Sequence, residues 1–197
     1  EAQYDFNTRA IPNGWWTTMY RDVIADLRES ARLINADASL APAEKANKLA
    51  ILDIMEVYTY SILVNTYGNI PYSESINSSI LFPKYDDAKT VTADLMTRLN
   101  NDIAKINPSA SAFAAGEDLV YKGSAAKWVK FANTLRFKLG MVLADVDAST
   151  AKTAAESSDA GAISAAADNG LFTFLSASPN QNPLYVDIVT GGRQDYI

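Results

Sequence analysis

The sequence lacks two residue types that carry much of protein chemistry. It contains no cysteine and no histidine among its 197 residues. Without cysteine this chain can form no disulfide, no thiolate metal site and no cysteine nucleophile. Without histidine it has neither the usual general base at neutral pH nor the commonest metal ligand, which excludes triad hydrolysis and histidine-ligated zinc. Only carboxylate-based catalysis remains open.

Basic residues are scarce relative to acidic ones. The chain has 17 Lys and Arg against 23 Asp and Glu, for a net charge of −6. Nucleic-acid binding needs a surplus of positive charge to neutralise phosphates, so we expect no nucleic-acid partner. No run of 18 or more uncharged apolar residues occurs, so we expect no membrane-spanning segment. No acidic stretch has the spacing of a calcium loop, and we predict no metal and no cofactor.

Apolar residues recur at helical spacing in four long segments of the sequence. The first starts at a predicted N-cap, Asn13, and its pattern fades near Asp37. The second opens with Pro42 in its first turn and is apolar on nearly every side, which is typical of a central helix with neighbours all around it. Its two acids, Asp53 and Glu56, must then find partners or face a polar seam.

The remaining segments complete a helical pattern. We predict a third helix from an N-cap at Thr90 to just before Pro108, a fourth over about 123–147, and an alanine-rich helix over about 150–167. Residues 171–175 alternate like a short strand, and the last twenty residues are loop-like. Long helices without strands between them predict an all-α fold, with antiparallel helix pairs in a tetratricopeptide-like stack, long ordered loops and little strand.

The nine residues Tyr67–Ser75, Tyr-Gly-Asn-Ile-Pro-Tyr-Ser-Glu-Ser, end the second predicted helix and begin a long loop. Gly68 and Asn69 are residue types that tolerate left-handed backbone angles at a helix end, and Pro71 cannot continue a helix. The loop extends over 68–89, which is longer than most connections in compact domains, and such loops often carry function.

Three ordered segments carry a resemblance to a known family. Residues 62–74 resemble the SusD/RagB-like family, whose members commonly show a Tyr-Gly-Asp-Ile/Val-Pro-Tyr-Ser-Glu-like segment; Asn69 stands where Asp is common. Residues 82–86, Phe-Pro-Lys-Tyr-Asp, are similar to the segment that precedes the next helix of the family. Residues 125–139 look like the characteristic "KW.KFANSLR" helix of the family. Three matches in order are much stronger evidence than one.

The resemblance implies a surface-exposed outer-membrane lipoprotein of Gram-negative bacteria with an all-α, tetratricopeptide-rich fold. Such proteins capture an oligosaccharide or polysaccharide, or in some systems a peptide, and sit as a lid on a SusC-like TonB-dependent transporter. They bind and deliver, so no enzyme activity is expected. Family members are usually more than twice this length. We therefore expect residues 1–197 to form a single helical domain, the N-terminal part of a longer protein whose lipid anchor and C-terminal half lie outside this sequence.

Glycan capture needs flat aromatic faces with polar groups beside them, and the long loop supplies both. We name Asn69, Tyr72 and Tyr85 as candidate ligand-binding residues of this loop. Trp15 is the fourth candidate, because adjacent Trp15 and Trp16 cannot share one helix face, and one packing inward leaves the other outward. A purely structural role is the alternative in each case. The loop residues would then form a packed corner, and Trp15 would cover neighbouring parts of the protein.

Two other functions remain open at this point. A helical-repeat adaptor could bind a peptide or protein along its concave face, an idea that draws on the helix stack alone. A carboxylate-pair glycosidase would need two carboxyl groups held across a cleft, and Glu74 and Asp86 are the only loop acids that we nominate for that role.

Overall fold

The longest helix, α3 (Pro42–Tyr67), lies at the centre of the fold, as its apolar sequence predicts. The computed structural model describes residues 11–192. Helix α3 packs against α2 (Ala25–Ala36), α4 (Ala88–Lys105) and α5 (Ala125–Val142). Its fully buried apolar side chains are Ile51, Ile54, Val57, Tyr60 and Leu63. By length and composition α3 is the one helix within residues 11–192 that could cross a membrane, but most of its apolar window is buried here as a core helix.

The first helical rod is a single run with a π-helical middle. Helix α1 (Ile11–Thr17) passes through a π-helical segment, Thr18–Ile24, into α2 without a break. Asn13 therefore lies inside α1, and its prediction as an N-cap is wrong. The reason is that Pro12, which fits the first turn of a helix, already has helical backbone there.

Helix α4 is capped by Asp87, so the predicted cap at Thr90 is wrong. The Asp87 carboxylate accepts the Thr90 backbone N–H (3.0 Å) and its hydroxyl (3.1 Å). Asp147 caps α6 (Ala148–Ser158) in the same way, with Thr150. A side-chain oxygen that accepts a first-turn N–H satisfies a donor without a partner inside the helix.

The alanine-rich helix is shorter than predicted. Helix α6 ends at Ser158 and is followed by two 3-10 turns, Asp159–Gly161 and Ala166–Asp168. After the helix the chain lies against α5 at two points. A Cβ at Gly161 would lie 2.8 Å from Asn133 Nδ2, and the Ile163 N–H donates to Thr134 Oγ1 (2.8 Å).

The tail differs from the sequence prediction in two places. Residues 171–175 form no strand, because within residues 11–192 no second strand lies beside them, and only an isolated bridge joins Leu175 to Gln181. The last residues described are not a plain loop either. They contain a short helix, α7 (Pro183–Tyr185), and a π-helical turn, Val186–Thr190.

Consecutive helices run antiparallel, which confirms the predicted all-α, tetratricopeptide-like architecture. The start of α3 meets the end of α4, where Asn47 bonds Asn107, and the end of α3 meets the start of α4. Helices α5 and α6 come close together at Gly140, where an added Cβ would lie 2.5 Å from the Ala154 Cβ. Glycine therefore permits the close contact between these two helices.

Candidate functional site

The segment Tyr67–Ser75 forms a rigid corner at the end of α3. Gly68 leaves the helix with φ of 76°, a conformation that favours glycine, and its N–H donates to Val64 O (2.9 Å). Ile70 and Asp86 then exchange backbone hydrogen bonds of 3.3 and 2.8 Å, so that both ends of the long loop are joined. The predicted helix stop at Gly68 is confirmed.

The polar side chains of this corner bind the protein's own backbone. The Asp86 carboxylate accepts the Ser73 N–H (2.7 Å) and its hydroxyl (2.8 Å), and these bonds hold the Asp86 pKa below its usual value. Asn69 Oδ1 accepts the Ala88 N–H at the start of α4 (3.0 Å). Glu74 Oε2 accepts the Lys84 N–H (2.9 Å). These hydrogen bonds join one part of the loop to another, so the three side chains have a structural role in this corner.

An arginine of α2 connects this corner to the core. Arg28 donates to Glu56 Oε1 from Nε (3.1 Å) and Nη2 (3.0 Å), and to the Ser75 carbonyl from Nη1 (2.6 Å). Its Nη2 also donates to the Tyr60 hydroxyl (3.0 Å). The buried acid Glu56 thereby gains the partner that its position in an apolar helix requires. A second tie comes from Tyr20, whose hydroxyl donates to the Pro71 carbonyl (2.7 Å).

A second arginine, Arg98 of α4, takes the other acid of α3. Its Nη2 and Nε donate to the two Asp53 carboxylate oxygens (2.5 and 3.1 Å), and its Nη1 donates to the Tyr72 hydroxyl (2.8 Å). Burial alone would lower the Arg98 pKa, but Asp53 outweighs burial and raises it. The Tyr72 hydroxyl in turn donates to Asp94. Tyr72 therefore has its polar end fully engaged inside the protein.

Asp102 lies beside this pair, and its carboxyl has a raised pKa. Its side chain is buried, and its Oδ2 has no hydrogen-bond partner among residues 11–192. Burial, with the neighbouring Asp53 carboxylate, raises the pKa of Asp102 to about 8. The raised pKa favours the protonated form of Asp102 more than is usual for an aspartate.

Aromatic rings cover the outer side of the corner. Trp16 packs against Tyr20 (centroids 4.9 Å apart), against Tyr67 (5.0 Å) and, in a stacked arrangement, against Tyr85 (6.2 Å, planes 23° apart). The outward-facing residues are Tyr85, 64% exposed, and Trp15, 46% exposed. Trp16 packs against the core and Trp15 faces outward, as expected for adjacent residues that cannot share one helix face.

The four predicted site residues thus occupy two kinds of position. Tyr85 and Trp15 are exposed on the aromatic side, whereas Asn69 and Tyr72 are engaged in contacts that hold the corner. Sequence reasoning missed the arginines that pair with the acids of α3, although the acids themselves signalled that partners were needed. It also missed Leu81 and Phe82, adjacent apolar residues that are 83% and 86% exposed, for which only their place in the loop offered a signal.

An apolar cavity of about 530 Å³ opens elsewhere, between α2, α3 and the segment 113–120. Trp128 and Met55 contribute to its walls. The loop beside it is fixed by Asp118, whose Oδ2 accepts Trp128 Nε1–H (2.8 Å) and the Gly123 N–H (2.9 Å). Within residues 11–192 no cluster of acids suited to a metal ion occurs.

Comparison with known proteins places this geometry in a family. A SusD homologue from Bacteroides uniformis is 30% identical, with a TM-score of 0.71 over 86% of this chain and 33% of its own. A SusD homologue from Parabacteroides distasonis is 24% identical, with a TM-score of 0.75 over 91% of this chain and 36% of its own. A chitin-binding SusD homologue from Flavobacterium johnsoniae is 23% identical, with a TM-score of 0.64 over 80% and 34%.

The chain spans about a third of the length of these solved relatives. No curated protein matches it in sequence. The SusD-like_2 family model, described as "Starch-binding associating with outer membrane", matches residues 1–197. The resemblance seen in the three sequence segments is therefore confirmed, and the chain belongs to this SusD-like family.

Proposed function

We propose that this chain is the helical part of a surface-exposed outer-membrane lipoprotein that captures oligosaccharides and passes them to a partner TonB-dependent transporter. The family description, which names starch binding and the outer membrane, supports both the ligand class and the location. The chitin-binding relative supports a carbohydrate ligand. The protein binds and delivers its ligand without cleaving it.

The observation that carries this proposal is the exposed face of Tyr85 stacked on Trp16. The pyranose ring of a sugar has an apolar face that packs on an aromatic ring, and such packing is effective when the ring is held rigid. Tyr85 is held in place in two ways. Its neighbour Asp86 is hydrogen-bonded to Ser73, and its ring stacks on Trp16. Trp15, which precedes Trp16 in α1, offers a second exposed ring.

Asn69 and Tyr72 take a supporting role in this proposal. Their polar groups bind Ala88 and Arg98, so they position the loop that presents Tyr85. The Glu74 and Asp86 pair is a poor candidate for glycosidase chemistry. Both carboxylates accept loop N–H groups, so each is already engaged in holding the loop.

Calorimetric titration of the full-length protein with starch and chitin oligosaccharides tests the proposal. We expect saturable binding, weakened about tenfold or more by Tyr85→Ala and by Trp15→Ala, since stacking on an aromatic ring contributes on the order of 1–2 kcal/mol. Tyr185→Ala is the matched control, because Tyr185 is an exposed aromatic of the tail, in α7. Absence of binding to every oligosaccharide would overturn the proposal.

Delivery to a transporter needs a separate test. Co-expression of the full-length protein with the TonB-dependent transporter encoded beside it should yield a complex that survives detergent extraction and size-exclusion chromatography. If the protein binds oligosaccharide but forms no complex with the transporter, the proposed delivery step is wrong, while glycan capture still holds.

The apolar cavity of about 530 Å³ favours a second function, binding of a peptide or protein. Its walls are mainly apolar side chains, from α3, the segment 113–120 and other parts of the chain, and they suit the apolar anchors of a peptide better than sugar hydroxyls. Pull-down of a protein ligand that is lost in Met55→Lys, with no oligosaccharide binding by the unmodified protein, would establish this function in place of glycan capture.

A further inference from the structure

Arg136 of α5 carries a charge that its surroundings do not neutralise. Its Nε donates to Ser158 Oγ (2.8 Å) and its Nη1 to Asn100 Oδ1 (2.6 Å). Its Nη2 donates to Asn133 Oδ1 (2.9 Å) and to the Ser157 carbonyl (2.6 Å). All four acceptors are neutral. A guanidinium has five N–H donors, so one N–H of Nη1 is left for another acceptor.

The contrast with the other half-buried arginines is clear. Arg28 and Arg98 each bind a carboxylate, whereas within residues 11–192 Arg136 forms no ion pair. Burial lowers the Arg136 pKa, and no acid offsets this effect as Asp53 does for Arg98. A partly desolvated cation without a counter-charge gains free energy from an anion that reaches it.

Arg136 borders a cavity of about 340 Å³ between α4 and α6. Among residues 11–192, its lining includes no Asp, Glu or Lys, and Arg136 is its one charged group. The walls are rich in hydroxyl groups. They come from Thr97 on α4 and from Ser149, Thr150, Thr153 and Ser157 on α6. The volume is at the lower end of the range for ligand cavities, which suits a single sugar residue.

The hydroxyl groups of the walls have already donated their hydrogens inside the protein. Thr97, Thr153 and Ser157 donate to the carbonyls of Ala93, Ser149 and Ala154, respectively. Ser149 and Thr150 both donate to the Asp147 carboxylate. Each hydroxyl oxygen keeps lone pairs that can accept. The cavity therefore presents hydroxyl acceptors on its walls, the amide of Asn100 and one cationic donor, Arg136. It is complementary to a ligand with several O–H donors and one anionic group.

We propose that this cavity binds the acidic residue of a carboxylated saccharide, with the carboxylate on Arg136 and the sugar hydroxyls on the walls. This inference rests on the proposed glycan-binding function and names a substrate class for it. It adds a second subsite on α4, α5 and α6, separate from the aromatic residues Trp15 and Tyr85 on the outer side of the corner.

Titration of the full-length protein with methyl glucuronide, methyl glucoside and acetate at constant ionic strength tests the assignment. We expect the glucuronide to bind about tenfold tighter than the glucoside, the effect of a charge-assisted hydrogen bond. We also expect it to bind tighter than acetate, because acetate lacks the hydroxyl donors. Equal affinity for glucuronide and glucoside overturns the proposal, and so does equal affinity for glucuronide and acetate.

Two variants locate the binding. Arg136→Gln should abolish the preference for glucuronide, but it also removes the contacts between Arg136 and the end of α6. Thr153→Glu leaves those contacts in place and sets a competing carboxylate on the cavity wall, so it should weaken glucuronide binding about tenfold or more. Lys152→Glu is the control. Lys152 is exposed, and its replacement changes the net charge more than Thr153→Glu does, but it adds no acid to the cavity lining. Unchanged glucuronide binding by Thr153→Glu overturns the proposal.

The outcome separates this inference from the proposed function. Neutral oligosaccharides that bind in a Tyr85-dependent way, with no preference for acidic sugars, contradict only the second subsite. Failure of both neutral and acidic oligosaccharides to bind contradicts glycan capture itself.

Discussion

The Tyr60 hydroxyl, in the middle of the central helix, lies 2.5 Å from Ser75 Oγ at the end of the corner. Ser75 Oγ donates its own hydrogen to the Tyr72 carbonyl (2.8 Å), so Tyr60 must be the donor to Ser75. The Tyr60 oxygen in turn accepts from Arg28 (3.0 Å). One chain of hydrogen bonds thus runs from α2 through α3 to the loop that presents the aromatic face.

Removal of this hydroxyl should loosen the corner. We expect Tyr60→Phe to lower the free energy of unfolding by about 1–3 kcal/mol, because Ser75 Oγ loses a donor and Arg28 loses an acceptor in a buried site. Urea unfolding monitored by circular dichroism measures the change. Tyr185→Phe, at an exposed tyrosine of α7, should have almost no effect. A cost for Tyr60→Phe no larger than that of the control would mean that the hydrogen-bond chain contributes nothing to stability.

Asp102 should make stability fall as the pH rises. Between about pH 4 and pH 8 the folded chain holds a proton on Asp102 that the unfolded chain, with the ordinary pKa of 3.8, has released. Stability from this group is complete below pH 4 and is lost as the pH rises toward 8. In Asp102→Asn, which has no such proton, this decline should shrink by at least about 1 kcal/mol in the free energy of unfolding.

The measurement is a series of urea unfolding curves across that pH range, for the unmodified protein and for Asp102→Asn. Asp53 contributes in the opposite direction, because Arg98 outweighs burial and lowers its pKa, so its stabilisation is lost as the pH falls. Asp159→Asn, at an exposed acid, is the control. Identical pH profiles for the unmodified protein and Asp102→Asn would show that Asp102 is ionised in the folded chain.

The contact between α5 and α6 should not tolerate one added methyl group. In Gly140→Ala the new Cβ would lie 2.5 Å from the Ala154 Cβ, so the helices must move apart. We expect a loss of about 1–3 kcal/mol in the free energy of unfolding, even though alanine favours helix more than glycine does. Gly116→Ala is the control, since nothing lies within 4 Å of an added Cβ at that position. Thermal unfolding of both variants decides, and a Gly140→Ala protein as stable as the unmodified one would refute the close approach.

Asn47 should be the most sensitive amide in the core. It is fully buried, and its Nδ2 donates to the Asn107 (2.9 Å) and Ser111 (2.9 Å) carbonyls while its Oδ1 accepts the Asn107 N–H (2.8 Å). Asn47→Ala leaves these backbone groups without partners, so we expect a loss of about 2–4 kcal/mol. Asn65→Ala, at an exposed position of the same helix, should cost far less in the same denaturation experiment. Equal costs at the two positions would contradict this role for Asn47.

Much of this fold could be predicted from the sequence because its signals are local. Pro42 and Gly68 mark the two ends of α3, and the apolar pattern between them marks its burial. The cap at Asn13 failed because the chain is already helical at Pro12, and the cap at Thr90 failed because Asp87, a residue of equally suitable type, stands one turn earlier. The end of the alanine-rich helix failed for another reason, since the chain beyond it lies against α5, a contact that local sequence does not show.

The candidate site was less predictable than the fold. The sequence shows that one loop contains aromatic and amide groups. It does not show that Asn69 Oδ1 accepts a backbone N–H at the start of α4, or that the ring of Tyr85 is exposed. Arg136 is one of four basic residues of α5, and residue type alone does not set it apart. Its missing counter-charge becomes visible only when α4 and α6 close around it with neutral side chains.

The sequence by itself determined the chemistry that this chain does without, the positions of its long helices and its membership in the SusD-like family. These properties follow from residue type, spacing and short ordered motifs. Only the tertiary structure decided which polar groups are already bound and which are free to meet a ligand. That distinction depends on distances between residues such as Tyr60 and Ser75, or Arg136 and Ser158, which local sequence does not encode because packing brings separate elements together.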